Sequence, residues 1–264
     1  MLPRKVNNNH EDNRLKSEGD IVGSVNKAFK NKNVDFLLKK RFSFISKHLN
    51  EYDKILEIGC GAGHSKHYIK NKNLKISDIT NYDFLDFKNI DCLNTPFQDE
   101  SFDCVFSLSL IHHISNPIKL FNEVGRILKK NGKYIILDTN CSFFLKLVII
   151  LTKSEKYDLD VNIFDKNINL TDPNDAFDSN NAVPSLIFKN FDKFNNNLNF
   201  DFEIKEIKFQ EFFIFLNSGG VIIDAPYLPL NNLMLKSMDK VDNLLSKMKK
   251  IFPLHIYACV TKKS

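Results

Sequence analysis

The chain has 264 residues, enough for one sizeable α/β domain and too few for two full-sized domains with a linker. Hydrophobic residues make up 43% and charged residues 26%, a balance that excludes wholesale disorder. The formal net charge of +5 permits contact with an acidic substrate or a membrane surface but requires neither, and the scattered lysines argue against a nucleic-acid partner.

The cysteines and the first residues bear on where the protein is found. The five cysteines are widely spaced without a C-x-x-C pair, so they match neither a zinc-ligand pattern nor a disulfide framework. Reduced thiols indicate a cytoplasmic protein. Residues 1 to 20 are polar and predict a mobile arm without a secretory signal. The longest apolar run, Phe143 to Leu151, is too short for a membrane span, which takes about 20 residues.

Strands and helices are predicted to alternate along the first half of the chain. A helix at 34–49 has Asn33 as its predicted N-cap, and a second helix begins at Pro117, where proline suits the first helical position. The alternation is typical of a doubly wound parallel sheet. The predicted strands of this half, of which the third is weakly marked, are 54–58, 74–77, 87–91, 102–108 and 133–138.

The second half of the chain is less regular. Residues 141–151 predict an apolar helix, which we expect to be buried against the sheet rather than to face a membrane or a lipid-linked acceptor. The polar residues 153–200 predict an insertion or a lid. The remaining predicted elements are a strand or strand pair at 202–215, a helix with an apolar face at 230–248, and a final strand at 255–262.

A glycine-rich turn follows the first predicted strand, where the sequence reads ILEIGCGAGHS. Gly59, Gly61 and Gly63 remove every Cβ near a ligand, so the backbone can approach the ligand closely and adopt positive φ. Such a turn suits a nucleotide or an amino-acid carboxylate at a helix N-terminus. A tight turn that binds nothing is the alternative.

Two features argue against a nicotinamide dinucleotide and therefore against an oxidoreductase. The spacing is G-x-G-x-G, and position 64 is His where the dinucleotide fingerprint requires Gly. Glu57 precedes the first glycine by two residues, and an acid there would repel a pyrophosphate but suits a ligand that carries positive charge.

Asp78 ends the second predicted strand, 19 residues after Gly59. A carboxylate at this point can accept hydrogen bonds from both hydroxyls of a ribose, in the crevice where doubly wound sheets bind their ligands. A solvated loop acid is the alternative.

Residues 52 to 139 resemble the core of the class I S-adenosylmethionine-dependent methyltransferases that modify small molecules, as in ubiquinone, sterol and glycan tailoring. The matching segments are, in order, LEIGCGAG, the strand that ends at Asp78, IDCLNTPFQDESFDCVFS, LIHHISNP and EVGRILKKNGKYIILD. The resemblance implies a Rossmann-like, doubly wound α/β fold over residues 21–264. Its seven-stranded sheet would be mostly parallel with an antiparallel last strand, 255–262. It also implies S-adenosylmethionine as the cofactor and a small-molecule acceptor as the partner.

The resemblance assigns roles at the methionine and ribose end of this cofactor. Glu57 would balance the amino group and the positive charge. The backbone of Gly59, Cys60, Gly61 and Gly63 would pack on the methionine part. Asp78 would bind the ribose hydroxyls.

At the adenine end, the resemblance places Ile79 against one face of the ring. Asp91 would accept from the adenine amino group, and Cys92 would donate its backbone N–H to the ring. Leu108, which ends the fourth strand, would line the pocket with its backbone. Cys92 stands where the family often has Ala, a change that should not prevent binding.

His112 and His113 directly follow the fourth strand and are expected to face the cleft. Methyl transfer is an in-line displacement that requires a base only if the nucleophile is a hydroxyl. We hypothesise that His112 is the base of an O-methylation, with His113 as the second candidate and a structural role in the turn as the alternative. Because neighbouring side chains are expected to point apart and the seven histidines are dispersed, no metal site is predicted.

Acceptor specificity is expected from residues 140–250. Asn217 to Gly220 is either a wall of the acceptor pocket or a plain glycine turn. A weak similarity of this part to methyltransferases of surface-glycan biosynthesis implies a sugar or glycan-precursor hydroxyl, free or lipid-linked. Residues 107–110 lack the Asn/Asp-Pro-Pro-aromatic segment of nucleic-acid amino-group methylases, which argues against base methylation. The alternative function is a scaffolding or regulatory protein that binds the cofactor without catalysis.

Overall fold

The computed structural model describes residues 21–51, 53–153, 155–222 and 224–263, so the predicted arm at 1–20 lies outside the described residues. The helices are α1 (Ile21–Lys30), α2 (Lys32–Ser46), α3 (Ser65–Tyr68), α4 (Pro117–Ile127), α5 (Phe143–Thr152), α6 (Val183–Lys189), α7 (Phe191–Asn195), α8 (Phe213–Leu216) and α9 (Asn232–Leu245). The strands are β1 (Ile55–Ile58), β2 (Leu74–Ser77), β3 (Phe102–Leu108), β4 (Leu128–Thr139), β5 (Phe202–Gln210) and β6 (His255–Lys262). A 3₁₀ turn covers Ile111–His113.

The strands form one sheet in the order β2-β1-β3-β4-β6-β5. The first four are parallel to one another, and β6 is antiparallel to both of its neighbours. The predicted doubly wound α/β fold and its antiparallel last strand are therefore confirmed. The carboxyl ends of β1, β2, β3 and β4 meet at one edge, where such sheets place their ligands.

The predicted count of seven strands is wrong, because the sheet of the described residues has six. The segment 87–91 makes a single parallel bridge, between Phe87 and Ser77, and no further ladder. Asn89 has a φ of 56°, and this left-handed conformation ends the extended backbone after two residues.

Apolar residues cover both faces of the sheet. On one face Val105 and Ile136 pack against Phe121 and Val124 of α4. On the other face Phe106 and Ile135 pack in the same cluster as Phe42 and Ile45 of α2. Burial on both faces explains why β3 is a continuous apolar run in the sequence.

Helix starts follow the capping rules, with one correction. Asn116 caps α4 by accepting from the Lys119 N–H at 3.0 Å, with Pro117 in the first helical position. The predicted N-cap of α2, Asn33, is wrong by two residues. Asn31 is the cap and accepts from the N–H groups of Asn33 and Val34, so the side chain of Asn33 is free to bond elsewhere.

Three elements of the second half differ from the prediction. The strand predicted through Phe215 stops at Gln210, because Glu211 has a φ of 63° and the chain then enters α8. The helix α5 is not buried as expected, since only its residues Leu145 and Ile149 are buried. Its outer residues Ile150 and Leu151 are 58% and 72% exposed.

The predicted apolar face of α9 is largely exposed. Leu235 and Asp242 are its buried residues, whereas Leu233 and Leu244 are 74% and 63% exposed. The apolar residues of this segment lie on more than one side of the helix, and only the side of Leu235 meets the body of the protein. None of the described helices combines the length and the apolar content that a bilayer crossing requires.

Candidate functional site

The glycine loop, residues 59–63, leaves β1 at the ligand edge of the sheet. Its three glycines all have positive φ, at 62°, 53° and 68°. A Cβ on Gly59 would lie 2.5 Å from Leu110 Cδ1, and a Cβ on Gly63 would lie 3.1 Å from Ile76 and Phe84. A Cβ on Gly61 would meet no described atom within 4 Å. Packing therefore disfavours a side chain at the outer two glycines, and the middle one faces open space.

Glu57 lies beneath this loop and is only 2% exposed. Its carboxylate accepts a hydrogen bond from the Ser65 hydroxyl. Burial, reinforced by the charge of Asp78, raises the pKa of Glu57 to about 8. A ligand cation placed beside Glu57 would favour its ionised form, so the residue suits a positively charged ligand.

Asp78 follows β2 and connects it to the glycine loop. One carboxylate oxygen accepts from the Gly61 N–H at 2.9 Å, and the other accepts from the Thr80 N–H at 3.1 Å. The buried Thr80 hydroxyl has no hydrogen-bond partner among the described residues. This end of β2 therefore offers a fixed carboxylate and an unsatisfied hydroxyl.

The predicted adenine-binding residues reach the same edge without a third strand. Asn89 and Ile90 donate backbone hydrogen bonds to the carbonyls of Thr80 and Asp78, at 2.8 and 2.9 Å. These bonds hold the segment that leads to Asp91 against the loop that contains Ile79. The Asp91 side chain accepts from the Leu93 N–H at 2.9 Å.

Other predicted cofactor residues differ in their exposure. Cys92 is half-buried and packs against the core cluster that includes β3, and Leu108 is half-buried at the end of β3. Cys60 is buried within the glycine loop.

His112 is held in place by Asp138, which lies at the end of β4. The distance from His112 Nδ1 to Asp138 Oδ1 is 2.5 Å, and the same carboxylate accepts from the backbone N–H groups of Ile111 and Thr139. Burial would lower the pKa of His112, but the charges of Asp138 and Glu155 outweigh it and the pKa is raised. Since Asp138 holds Nδ1, the other ring nitrogen, Nε2, is left for a ligand.

The expectation that His112 and His113 point apart is wrong. Both lie in a 3₁₀ turn, and their ring centroids are 4.1 Å apart with a tilt of 42°. His113 donates from Nδ1 to the Asp178 carbonyl at 3.2 Å. Burial lowers the pKa of His113 to about 4, so its ring is neutral at neutral pH.

Glu155 completes this cluster from the segment predicted as an insertion. Its Oε1 lies 3.9 Å from His112 Nε2, and its Oε2 accepts from the Asn181 side chain at 2.5 Å. The insertion also bonds to the histidine turn through backbone, since the Asn180 N–H donates to the His112 carbonyl at 2.6 Å. We define His112, His113, Glu155 and Asp138 as the histidine cluster.

Asp138 and Glu155 are not among the site residues predicted from the sequence. Asp138 carried a usable signal, because it is an acid at the carboxyl end of a buried parallel strand. Glu155 carried none, because nothing in its neighbourhood indicates that the chain folds back onto His112.

The turn at Asn217–Gly220 packs against the junction of α1 and α2. Asn31 and Asn33 donate from their side chains to the carbonyls of Ser218 and Asn217, at 2.9 and 2.7 Å. A Cβ on Gly219 would lie 2.6 Å from the Asn31 side chain. These contacts give the turn a structural role, and its part in an acceptor pocket stays a prediction.

Comparison with known proteins adds to this geometry. A family model described as a methyltransferase domain matches residues 56–136. An uncharacterised protein of Methanocaldococcus jannaschii is 34% identical over 100 residues, which are 35% of this chain and 43% of that protein. The sterol 4-C-methyltransferase strm-1 of Caenorhabditis elegans is 27% identical over 129 residues, which are 42% of this chain and 39% of that protein.

Among solved structures, a SAM-dependent methyltransferase of Archaeoglobus fulgidus aligns with 86% of this chain and 93% of its own. The identity is 16% and the TM-score 0.48. The chain spans about two fifths of the length of the two relatives above, at 43% and 39%. The match with these relatives is therefore one of domains rather than of whole proteins.

Proposed function

Because residues 56–136 form a class I S-adenosylmethionine-dependent methyltransferase domain, we propose that the protein transfers the methyl group of this cofactor to a hydroxyl of a small-molecule acceptor. The observation that carries the proposal is the position of the histidine cluster. It lies at the same sheet edge as the glycine loop, joined to it through Leu110, whose side chain fills the space above Gly59. This arrangement supports a cofactor site with a proton-accepting group beside it.

The described residues fit the cofactor. Glu57 offers a buried carboxyl for its positive end, and Gly61 has a positive φ and open space where a Cβ would stand. Asp78 and the unpartnered Thr80 hydroxyl suit the hydroxyls of a ribose. When bound, S-adenosylmethionine supplies a methyl group that its sulfonium charge has already activated. The protein then has to align and desolvate the acceptor.

His112 is the proposed general base for the acceptor hydroxyl. The Asp138 carboxylate accepts a hydrogen bond from the Nδ1 N–H and so fixes the tautomer in which Nε2 carries the lone pair, as the acid of a catalytic triad does. His112 is 3% exposed, which removes competing water from the ring. A base of this kind contributes a rate factor of about 10² to 10⁴.

A sugar or glycan-precursor hydroxyl is the proposed acceptor. The segment that covers the histidine cluster is polar, with Asn180, Asn181 and Glu155 bonded in its network. The Ser179 hydroxyl beside them is buried without a hydrogen-bond partner among the described residues. Such a lining supports an acceptor with several hydroxyls over an apolar one.

The first test is calorimetric titration with S-adenosylmethionine and S-adenosylhomocysteine, with NADH as the control ligand. We expect micromolar binding of both sulfur nucleotides, no binding of NADH, and loss of binding in Asp78→Ala. Binding that is absent from the wild-type protein would contradict the proposal.

The acceptor is tested by transfer of a labelled methyl group to mono- and oligosaccharides, sugar nucleotides, sterols and RNA. We expect label on a saccharide hydroxyl. Transfer to a sterol or to RNA alone would support the methyltransferase activity and contradict the saccharide acceptor.

A further inference from the structure

The histidine cluster brings together three donor atoms that no direct hydrogen bond connects. One possible ligand atom each from His112, His113 and Glu155 lies within 4.8 Å of the other two. His112 Nε2 and Glu155 Oε1 are 3.9 Å apart, too far for a hydrogen bond. Two ligands of one tetrahedral ion with bonds of about 2.1 Å stand roughly 3.4 Å apart, so a small contraction would close the triad on an ion.

Each donor is held from behind by a second group. Asp138 binds Nδ1 of His112, the Asp178 carbonyl accepts from Nδ1 of His113, and Asn181 donates to Oε2 of Glu155. The first two contacts fix the tautomers that leave both Nε2 lone pairs free. Carboxylates and backbone carbonyls occupy this place behind metal-bound histidines, and they orient the ring and raise its basicity.

Burial and charge also fit a cation. The side chain of His112 is 3% exposed and that of Glu155 is 31% exposed. The three donor atoms are therefore shielded by protein at His112 and accessible from solvent at Glu155. Glu155 and Asp138 bring two carboxylates to the site, and their negative charge favours a bound cation. Three protein ligands with one open position are typical of a catalytic rather than a structural zinc site.

We propose that His112, His113 and Glu155 bind one divalent transition-metal ion, with Zn²⁺ as the reference ion. Two imidazoles and one carboxylate suit borderline ions such as Zn²⁺, Co²⁺ or Fe²⁺, whereas Mg²⁺ and Ca²⁺ require oxygen ligands. The site stands on geometry and not on the proposed methyl transfer. Since the ion would use the His112 Nε2 lone pair, His112 would be a ligand and not a free base in the metal-bound protein.

The test is Co²⁺ and Zn²⁺ binding to the 264-residue protein after treatment with a chelator. We expect one Co²⁺ per chain with visible d–d absorption of a four- or five-coordinate ion, displaced by one equivalent of Zn²⁺ and unaffected by excess Mg²⁺. Binding of Mg²⁺ alone, or of no ion, would overturn the proposal. S-adenosylmethionine titration is independent of this readout, so failure of the metal site and failure of the proposed function are distinguishable.

Three variants show whether the bound ion is at this site. Glu155→Gln removes the charged ligand at a half-exposed position, and His113→Asn removes Nε2 while its amide can still donate to the Asp178 carbonyl. We expect each to weaken Co²⁺ binding by more than about tenfold, the smallest loss typical even of second-layer changes. His67→Ala, which removes an exposed histidine, is the control and should bind as the wild type does. Equal affinity in all three variants would refute the site.

Discussion

At the scale of single residues, Glu57 is a carboxyl whose buried position opposes its ionisation. Its pKa is raised from the ordinary 4.5 to about 8. Below about 4.5 both folded and unfolded chains hold the proton, so the group has no effect on stability. Between these values the unfolded chain ionises first, so the stability of the folded state falls as pH rises, and above about 8 the loss is complete.

The prediction is that Glu57→Gln removes this pH dependence. Relative to the variant, the wild-type protein should lose free energy of unfolding between pH 5 and pH 8, by as much as about 5 kcal/mol at 1.36 kcal/mol per pKa unit. Gln is neutral throughout and can still accept from Ser65. Urea unfolding of both proteins without ligand, at four pH values, gives the difference. If the free energy of unfolding changed with pH in the same way in both proteins, Glu57 would ionise normally in the folded state.

His112 gives the second prediction at this scale. His112→Ala should lower the turnover number of methyl transfer by about 100-fold or more and leave the affinity for S-adenosylmethionine within a factor of three. The base acts on the acceptor and does not contact the cofactor in our proposal. His67→Ala is the matched control for the loss of a histidine. Turnover within tenfold of the wild type would make the base role wrong.

At the scale of elements, the glycine loop has one position where only backbone strain opposes a side chain and one where packing opposes it as well. Gly59 and Gly61 both have positive φ, so an alanine costs about 1–2 kcal/mol at either position. A Cβ at position 59 also meets Leu110 at 2.5 Å, whereas one at position 61 meets no described atom within 4 Å. We expect Gly59→Ala to lower the free energy of unfolding more than Gly61→Ala.

The double variant Gly59→Ala/Leu110→Ala tests the cause of that difference. Removing the Leu110 side chain makes room for the new Cβ, so the double variant should lose less than the sum of its single variants. Chemical denaturation of the four proteins measures the coupling. Additive losses would mean that Leu110 moves aside without cost.

The same elements show what sequence alone can predict. The four parallel strands and α4 follow from apolar periodicity, a proline and an asparagine cap, which act over a few residues. The predicted third strand does not form because Asn89 has a left-handed backbone. The strand predicted through Phe215 stops at Gln210 because Glu211 is left-handed as well. Asn adopts left-handed backbone more often than most residues, so Asn89 carries a weak signal, whereas Glu211 carries none.

The candidate site likewise has one part that the sequence predicts and one part that it does not. Glu57, the glycines and Asp78 belong to one continuous segment with fixed spacing, so their proximity follows from the strand–turn–helix pattern. The histidine cluster joins His112 to Glu155, 43 residues further along, through an insertion without periodicity. A contact of that kind depends on the packing of the whole chain and could not be predicted from the sequence.

At the scale of the whole molecule, a buried ion pair connects the beginning of the described chain to its end. Arg41 of α2 donates from Nε and Nη2 to the two carboxylate oxygens of Glu211, at 2.8 and 2.7 Å. Glu211 also accepts from the Tyr257 hydroxyl and lies 3.0 Å from His255 Nδ1. Burial would raise the pKa of Glu211, but Arg41 and His255 outweigh it, so the pKa lies well below its ordinary value.

This pair should couple α2 to the antiparallel strands β5 and β6. Arg41→Met leaves the buried Glu211 charge without its guanidinium partner, which costs about 3–5 kcal/mol of unfolding free energy. Arg41→Met/Glu211→Gln removes both charges and should recover a large part of that loss, because Gln can still accept from Tyr257. Lys205→Met is the control, since its pair with Glu203 is about half exposed and should be worth under about 1 kcal/mol. Urea unfolding measures all three, and a double variant no more stable than Arg41→Met would show that the buried charge is not the cause of the loss.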